Sequence, residues 1–183
     1  FFETPTELGW HMVADLADIL PSHDVLEPNA GKGALLFLAL KAGAKSYTAV
    51  ESNRDRCVDL HRRYGELPER PIPRPVRILH QDFLTVPASG PEAFRCDRIV
   101  MNPPFSGQQD IDHVVHAHRM LRPDGLLVAI MAAGVRFRTN RKAEGFRALV
   151  QSVGGTIEDL PEGSFLASGT GVRTVMVTMP SGE

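Results

Sequence analysis

Between Asp24 and Met131, short apolar runs stopped by glycine, asparagine or proline alternate with stretches of helical period. No other feature narrows the fold as much. Strands that take turns with helices pair in parallel, since each crossover helix must pack back on the sheet it left. The pattern predicts a doubly wound α/β domain. A helix is expected over about 6–20, then a strand at 24–27, a glycine turn with a helix at 34–42, and a strand at 47–51. Asn53 stands where its side chain can accept from the free N–H groups of a helix running to about Tyr64. The four prolines of 65–75 exclude a helix or a central strand there and predict a surface loop. Strands at 76–80, 98–101 and 125–131, with a helix at 110–121 between the last two, continue the alternation. A helix at 142–153 leads to strands at 156–160 and 172–179, and the missing helix between these two predicts an antiparallel hairpin closing one sheet edge.

A formal net charge of −2 over 183 residues excludes a globally basic surface, so any nucleic-acid contact must come from a local patch. Cys57 and Cys96 lie far apart without a CxxC spacing, which argues against a metal site and a disulfide scaffold and makes a reducing cytoplasm the expected compartment. No apolar run approaches the roughly 20 residues that span a bilayer, and no membrane partner is expected.

The segment Leu26-Glu27-Pro28-Asn29-Ala30-Gly31-Lys32-Gly33 reads as a strand that breaks into a glycine turn and then a helix. Glycines allow close backbone approach to a ligand, and a helix start offers free N–H groups. A dinucleotide fingerprint would need glycine where Leu36 stands, and a phosphate-cradling loop would need glycine at Leu26 and a hydroxyl residue at Gly33. Glu27 would repel a pyrophosphate but suits a ligand carrying an ammonium group. A plain strand-to-helix turn is the alternative. Glu51 ends the second strand about 20 residues beyond the turn, where a carboxylate can accept from two ribose hydroxyls. Asp82 ends the third strand and can accept from an adenine amino group, with Phe83 covering the ring. Equally, Asp82 can cap a turn and Phe83 can belong to the core.

The most specific signal is Asn102-Pro103-Pro104-Phe105, directly after the apolar run 98–101. It places an amide oxygen at the carboxyl end of the sheet, where open α/β folds bind ligands. Two prolines stiffen the turn and leave carbonyls without strand partners, and an aromatic ring follows as a stacking surface.

In these motifs and their order the sequence resembles the N6-adenine DNA methyltransferases, within the amino-methyltransferases that share Asn/Asp-Pro-Pro-Phe/Tyr. The resemblance covers nearly the whole chain and is of the gamma-like arrangement, with Phe2-Glu3-Thr4-Pro5-Thr6 similar to the family's N-terminal cofactor-lining segment. It implies a seven-stranded Rossmann-like sheet with a reversed last strand, as a single domain over 1–183 without a separate target-recognition domain. It implies S-adenosylmethionine as cofactor, held by Thr4, Pro5, Glu27, Asn29, Gly31, Gly33, Glu51, Ser52, Asp82, Phe83 and Asn102. Catalysis would rest on Asn102, Pro103, Pro104 and Phe105, with DNA as the partner and a specificity subunit or additional domain supplying sequence recognition, as in restriction-modification. An RNA base or a protein glutamine as substrate, or a catalytically silent binding subunit, are the competing functions.

Two further clusters stand out. His113, His116 and His118 crowd one helix, and the i, i+3 pair could mimic a metal site, but no carboxylate or thiol at matching spacing completes it. No metal is expected. Arg136, Arg138, Arg141, Lys142 and Arg147 follow the fifth strand, and the first four are expected to contact phosphates.

Overall fold

The computed structural model describes residues 3–65, 76–166, 169 and 171–182. Its centre is a seven-stranded sheet in the order β3-β2-β1-β4-β5-β7-β6. The strands are β1 (Asp24–Glu27), β2 (Ser46–Glu51), β3 (Val76–His80), β4 (Cys96–Met101), β5 (Leu121–Ala132), β6 (Thr156–Asp159) and β7 (Thr174–Pro180). The first five pair in parallel, while β7 runs antiparallel to both β5 and β6. The hairpin expected at the sheet edge is present. Residues 66–75 of the expected proline loop lie outside the described residues.

Around the sheet stand α1 (Thr6–Trp10), α2 (Ala34–Ala42), α3 (Arg54–Tyr64), α4 (Gln109–His118), α5 (Gly134–Phe137) and α6 (Arg141–Ser152). Strand pleating sends alternate residues to opposite faces. Val25, Ala49, Val100 and Val128 therefore pack with Leu35, Leu36 and Leu60 of α2 and α3, while Leu26, Val50, Ile99 and Leu127 pack with Val114 and Phe146 of α4 and α6. Two cores result, one on each face.

Two elements depart from expectation. The first helix does not run to 20: α1 passes at His11 into a π-helical turn ending at Leu16, and Asp18, at φ 44°, breaks the helical path. Likewise α4 stops at His118, not 121, because Leu121 already pairs with Cys96 and Met120 accepts from the Cys96 N–H. The pull of a ladder partner decides that boundary over helical period. Asn53 caps α3 as expected, accepting from the Arg56 N–H at 3.1 Å.

The chain walks outward through β1, β2 and β3, then returns to lay β4 beside β1. At such a reversal the loops leaving neighbouring strands diverge to opposite faces and open a crevice at the carboxyl edge. Here the crevice lies beyond Glu27 and Met101.

Candidate active site

Strand alternation fixes which side chains meet in the crevice. Glu27 follows Leu26, Glu51 follows Val50 and Asn102 follows Met101, so all three leave their strands toward the α2 face. Ala49 is level with Glu27, which carries Glu51 two residues, about 7 Å, further along the strand direction.

Glu51 is buried and organises the glycine turn. Its Oε2 accepts from the Gly31 N–H and its Oε1 from the Asn53 N–H, each at 2.8 Å, while Arg56 Nη1 lies 3.7 Å from Oε1. Gly33 sits at φ 83°, a conformation that favours glycine, and a Cβ there would come within 2.7 Å of the Leu60 and 3.0 Å of the Tyr64 side chain and push them aside. It also leaves α2 without a side-chain cap.

Glu27 takes over part of that task by accepting from the Leu36 N–H, near the start of α2. It is 4% exposed, and its Oε2 is a buried oxygen with no hydrogen-bond partner among the described residues. Burial pushes its carboxyl well above the ordinary range; the Leu36 bond opposes this and the Glu51 charge adds to it. A void of about 10 Å³ bounded by Thr4, Glu27, Asn29 and Asn102 adjoins it. A buried acceptor without a donor calls for one, and a cationic N–H group is the partner that satisfies it best.

A cleft of about 390 Å³ joins these residues to the proline turn, with Asn29, Glu51, Ser52 and Arg56 on one side and Asn102 to Ser106 on the other. Asn102 Nδ2 donates to Thr4 Oγ1 at 3.1 Å, so the N-terminal segment fixes the amide plane. Pro103 is buried, Pro104 exposed and Phe105 half-buried. Asn29 bonds His113 Nδ1 through its amide, which ties the glycine turn to α4. Burial lowers the His113 pKa, Asp82 and Asp112 raise it, and His116 adds to the lowering.

Other expected site residues fall outside this cleft. Thr4 and Pro5 line a separate depression of about 610 Å³ on the outer side of Gly33. Asp82 is an exposed cap, accepting from the Leu84 N–H at 3.0 Å, and Phe83 is buried in the core with its ring 5.0 Å from that of His116. His116 and His118 pair with the carbonyls of Val86 and Pro180. In the basic stretch, Arg136 pairs with Asp159, Lys142 with Asp112, and Arg147 donates to the carbonyls of Val135 and Arg138. Arg141 makes no ion pair among the described residues.

Two contributors have little sequence signature. Arg56 is one of several arginines on α3, marked only by following a strand-end acid, and its place in the cleft depends on the cap at Asn53. Asp110 is fully buried and accepts from the Ile111 and Ala132 N–H groups, which clasps the start of α4 to the end of β5.

The seven-stranded sheet with its reversed strand is a Rossmann-like fold, shared with a Listeria monocytogenes protein described as a class I S-adenosylmethionine-dependent methyltransferase. The chain belongs to the family described as conserved hypothetical protein 95, whose model matches residues 11–148. It is 31% identical over 94 residues to ribosomal RNA small subunit methyltransferase A of a Synechococcus strain, covering 51% of this chain and 31% of that relative's length. Among solved structures, it is similar to a type I restriction-modification methyltransferase subunit from Streptococcus thermophilus, with a TM-score of 0.79 and 20% identity, over 100% of this chain and 45% of that one. A protein from Pyrococcus horikoshii, described as a candidate RNA methyltransferase, matches at a TM-score of 0.64 and 19% identity, covering 98% of this chain and 84% of its own. Among the described residues no helix is long and apolar enough to cross a membrane.

Proposed function

We propose that the protein is an S-adenosylmethionine-dependent methyltransferase acting on the exocyclic amino group of a nucleic-acid base, with adenine N6 in DNA as the leading target. The observation that carries this reading is the single cleft walled by Glu51 on one side and by Asn102 to Phe105 on the other. Its volume is within the usual range for small-molecule sites. The residues fit the cofactor: Glu51 offers lone pairs to ribose hydroxyls, and the unpartnered oxygen of Glu27 suits the ammonium of the methionine portion. When bound, the cofactor supplies a methyl group on a sulfonium as the electrophile.

The chain's own residues then have to make a weak nucleophile react. A base amino group donates its lone pair into the ring, and acceptors aimed at its N–H groups oppose that delocalisation and stabilise the developing positive charge. Thr4 holds the donor end of the Asn102 amide, turning the acceptor end elsewhere. Pro103 and Pro104 bring no N–H to the turn, so at these two positions its backbone offers acceptors only. Phe105, half-buried beside them, gives an extruded base a stacking face. Arg138 and Arg141 are the cations of the basic stretch best disposed to meet phosphates, since Arg136 and Lys142 already have carboxylate partners.

RNA is the second reading, favoured by the 31% identity to a ribosomal RNA methyltransferase. A specificity subunit or further domain remains part of the proposal as the source of sequence recognition. Incubation with methyl-labelled S-adenosylmethionine and separate pools of DNA, RNA and protein, followed by nucleoside mass spectrometry, tests all of this. N6-methyladenine in DNA is the expected product. Label confined to RNA establishes the second reading, and label in protein or in none of the pools refutes both.

A further inference from the structure

Phe137 is the most exposed large apolar side chain among the described residues, 71% accessible, and it stands between two arginines. Leaving a phenyl ring in water forgoes the stabilisation its burial would bring, and a ring flanked by cations has its face open to a stacking partner. The backbone here is stiff. Val135 is buried, the Arg138 N–H closes the turn on the Gly134 carbonyl, and the Arg147 guanidinium grips the carbonyls of Val135 and Arg138 at 2.7 and 2.9 Å.

The turn follows the end of β5, at the same edge of the sheet from which the proline motif leaves β4. Met101 is level with Ala129, so α5 begins several residues beyond the end of β4. Three contacts bind this rim to the segment that follows Phe105: Ala132 N–H to Asp110, Asn140 to Gln108 at 3.1 Å, and Lys142 to Asp112 at 2.6 Å. The Arg138 guanidinium lies over Gly134, with its Nε 2.9 Å from where a Cβ would be. The Arg138 side chain is exposed there.

We infer that Phe137, with Arg138 and Arg141, forms a platform that captures an unpaired nucleic-acid strand next to the target nucleotide. The inference rests on the nucleic-acid reading above and extends it to strandedness. A ring gains stacking energy only from a base whose face is open, as in a single strand or a loop, while the flanking cations meet its phosphates. Arg136 is committed to Asp159 and Lys142 to Asp112, which leaves Arg138 and Arg141 for that role.

The test uses the full chain and oligonucleotides carrying 2-aminopurine beside an adenine, as a single strand and as the matching duplex. The parental protein is expected to quench 2-aminopurine and bind the single strand more tightly. Phe137→Ala should weaken single-strand binding by about 5- to 150-fold and abolish the quench, with a much smaller effect on duplex, whereas Phe137→Trp should retain both. Because the ring is exposed, the alanine variant should melt as the parental protein does. Unchanged single-strand affinity in Phe137→Ala, or equal losses on single strand and duplex, overturns the inference. S-adenosylmethionine affinity is measured in parallel by calorimetry. Strand capture without cofactor binding sinks the methyltransferase reading and leaves the platform standing, while cofactor binding with an indifferent Phe137 does the reverse.

Discussion

Replacing Glu27 by glutamine should stabilise the cofactor-free protein at alkaline pH and not at acidic pH. The carboxyl is buried at the end of β1 with one oxygen unpartnered, and its pKa lies well above the ordinary 4.5. Between 4.5 and the folded value, the native state keeps a proton that the unfolded chain has released. Unfolding therefore frees a proton, and stability falls as pH rises across that window, then levels off above it. The slope is about 1.4 kcal/mol per pH unit, equivalent to roughly 3–6 °C in Tm per unit for a chain of this size. Glutamine keeps an acceptor for the Leu36 N–H but does not titrate. Melting curves followed by circular dichroism from about pH 5 to pH 8 should show the parental Tm descending relative to that of Glu27→Gln. S-adenosylmethionine at about 100 times its Kd should restore about 2.7 kcal/mol to the parental protein, and far less to the variant. Parallel Tm curves for the two proteins across the whole range would refute the argument, because Glu27 would then carry no linked proton.

Glu51→Ala should weaken S-adenosylmethionine binding by about 1–3 kcal/mol, read by calorimetry, as an acceptor and the brace on the Gly31 N–H go together. Asn102→Ala should cost roughly 10²–10³ in single-turnover methyl transfer with little loss of cofactor affinity, while Phe105→Ala should mainly weaken substrate capture. Parental turnover in folded Asn102→Ala would remove the motif from the chemistry. Neutralising Arg138 and Arg141 together should flatten the salt dependence of nucleic-acid binding, and an unchanged slope would make them ordinary surface cations.

Where backbone period and turn chemistry decide the structure, the sequence was enough. The strands 24–27 and 76–80, the helix 34–42 and the cap at Asn53 occur where apolar runs and capping residues put them. Boundaries failed where tertiary pairing overrides period, as at Leu121, drawn into β5 by Cys96, and at Met120, whose carbonyl accepts from the Cys96 N–H. The cleft was legible through Glu51 and Asn102, one ending a strand and the other directly following one, and Glu27 at the end of β1 lines the small void beside it. Asp82 and Phe83 show the limit: a strand-end acid and a following aromatic read the same whether they face a ligand or, as here, cap a turn and fill the core. The engagement of Arg136 and Lys142 with Asp159 and Asp112 spans 23 and 30 residues, and no local pattern announces it.

The position of β7 governs the order in which the molecule can be assembled. It lies between β5 and β6 and pairs with β5 from Ala132↔Thr174 to Leu126↔Pro180, so β6 has no place in the sheet until a strand made later has arrived. During synthesis β5 must wait with its outer edge bare, an open row of N–H and C=O groups of the kind that recruits foreign strands. Completion depends on closing a long loop, which makes this end of the sheet slow to form and the step most exposed to misassembly.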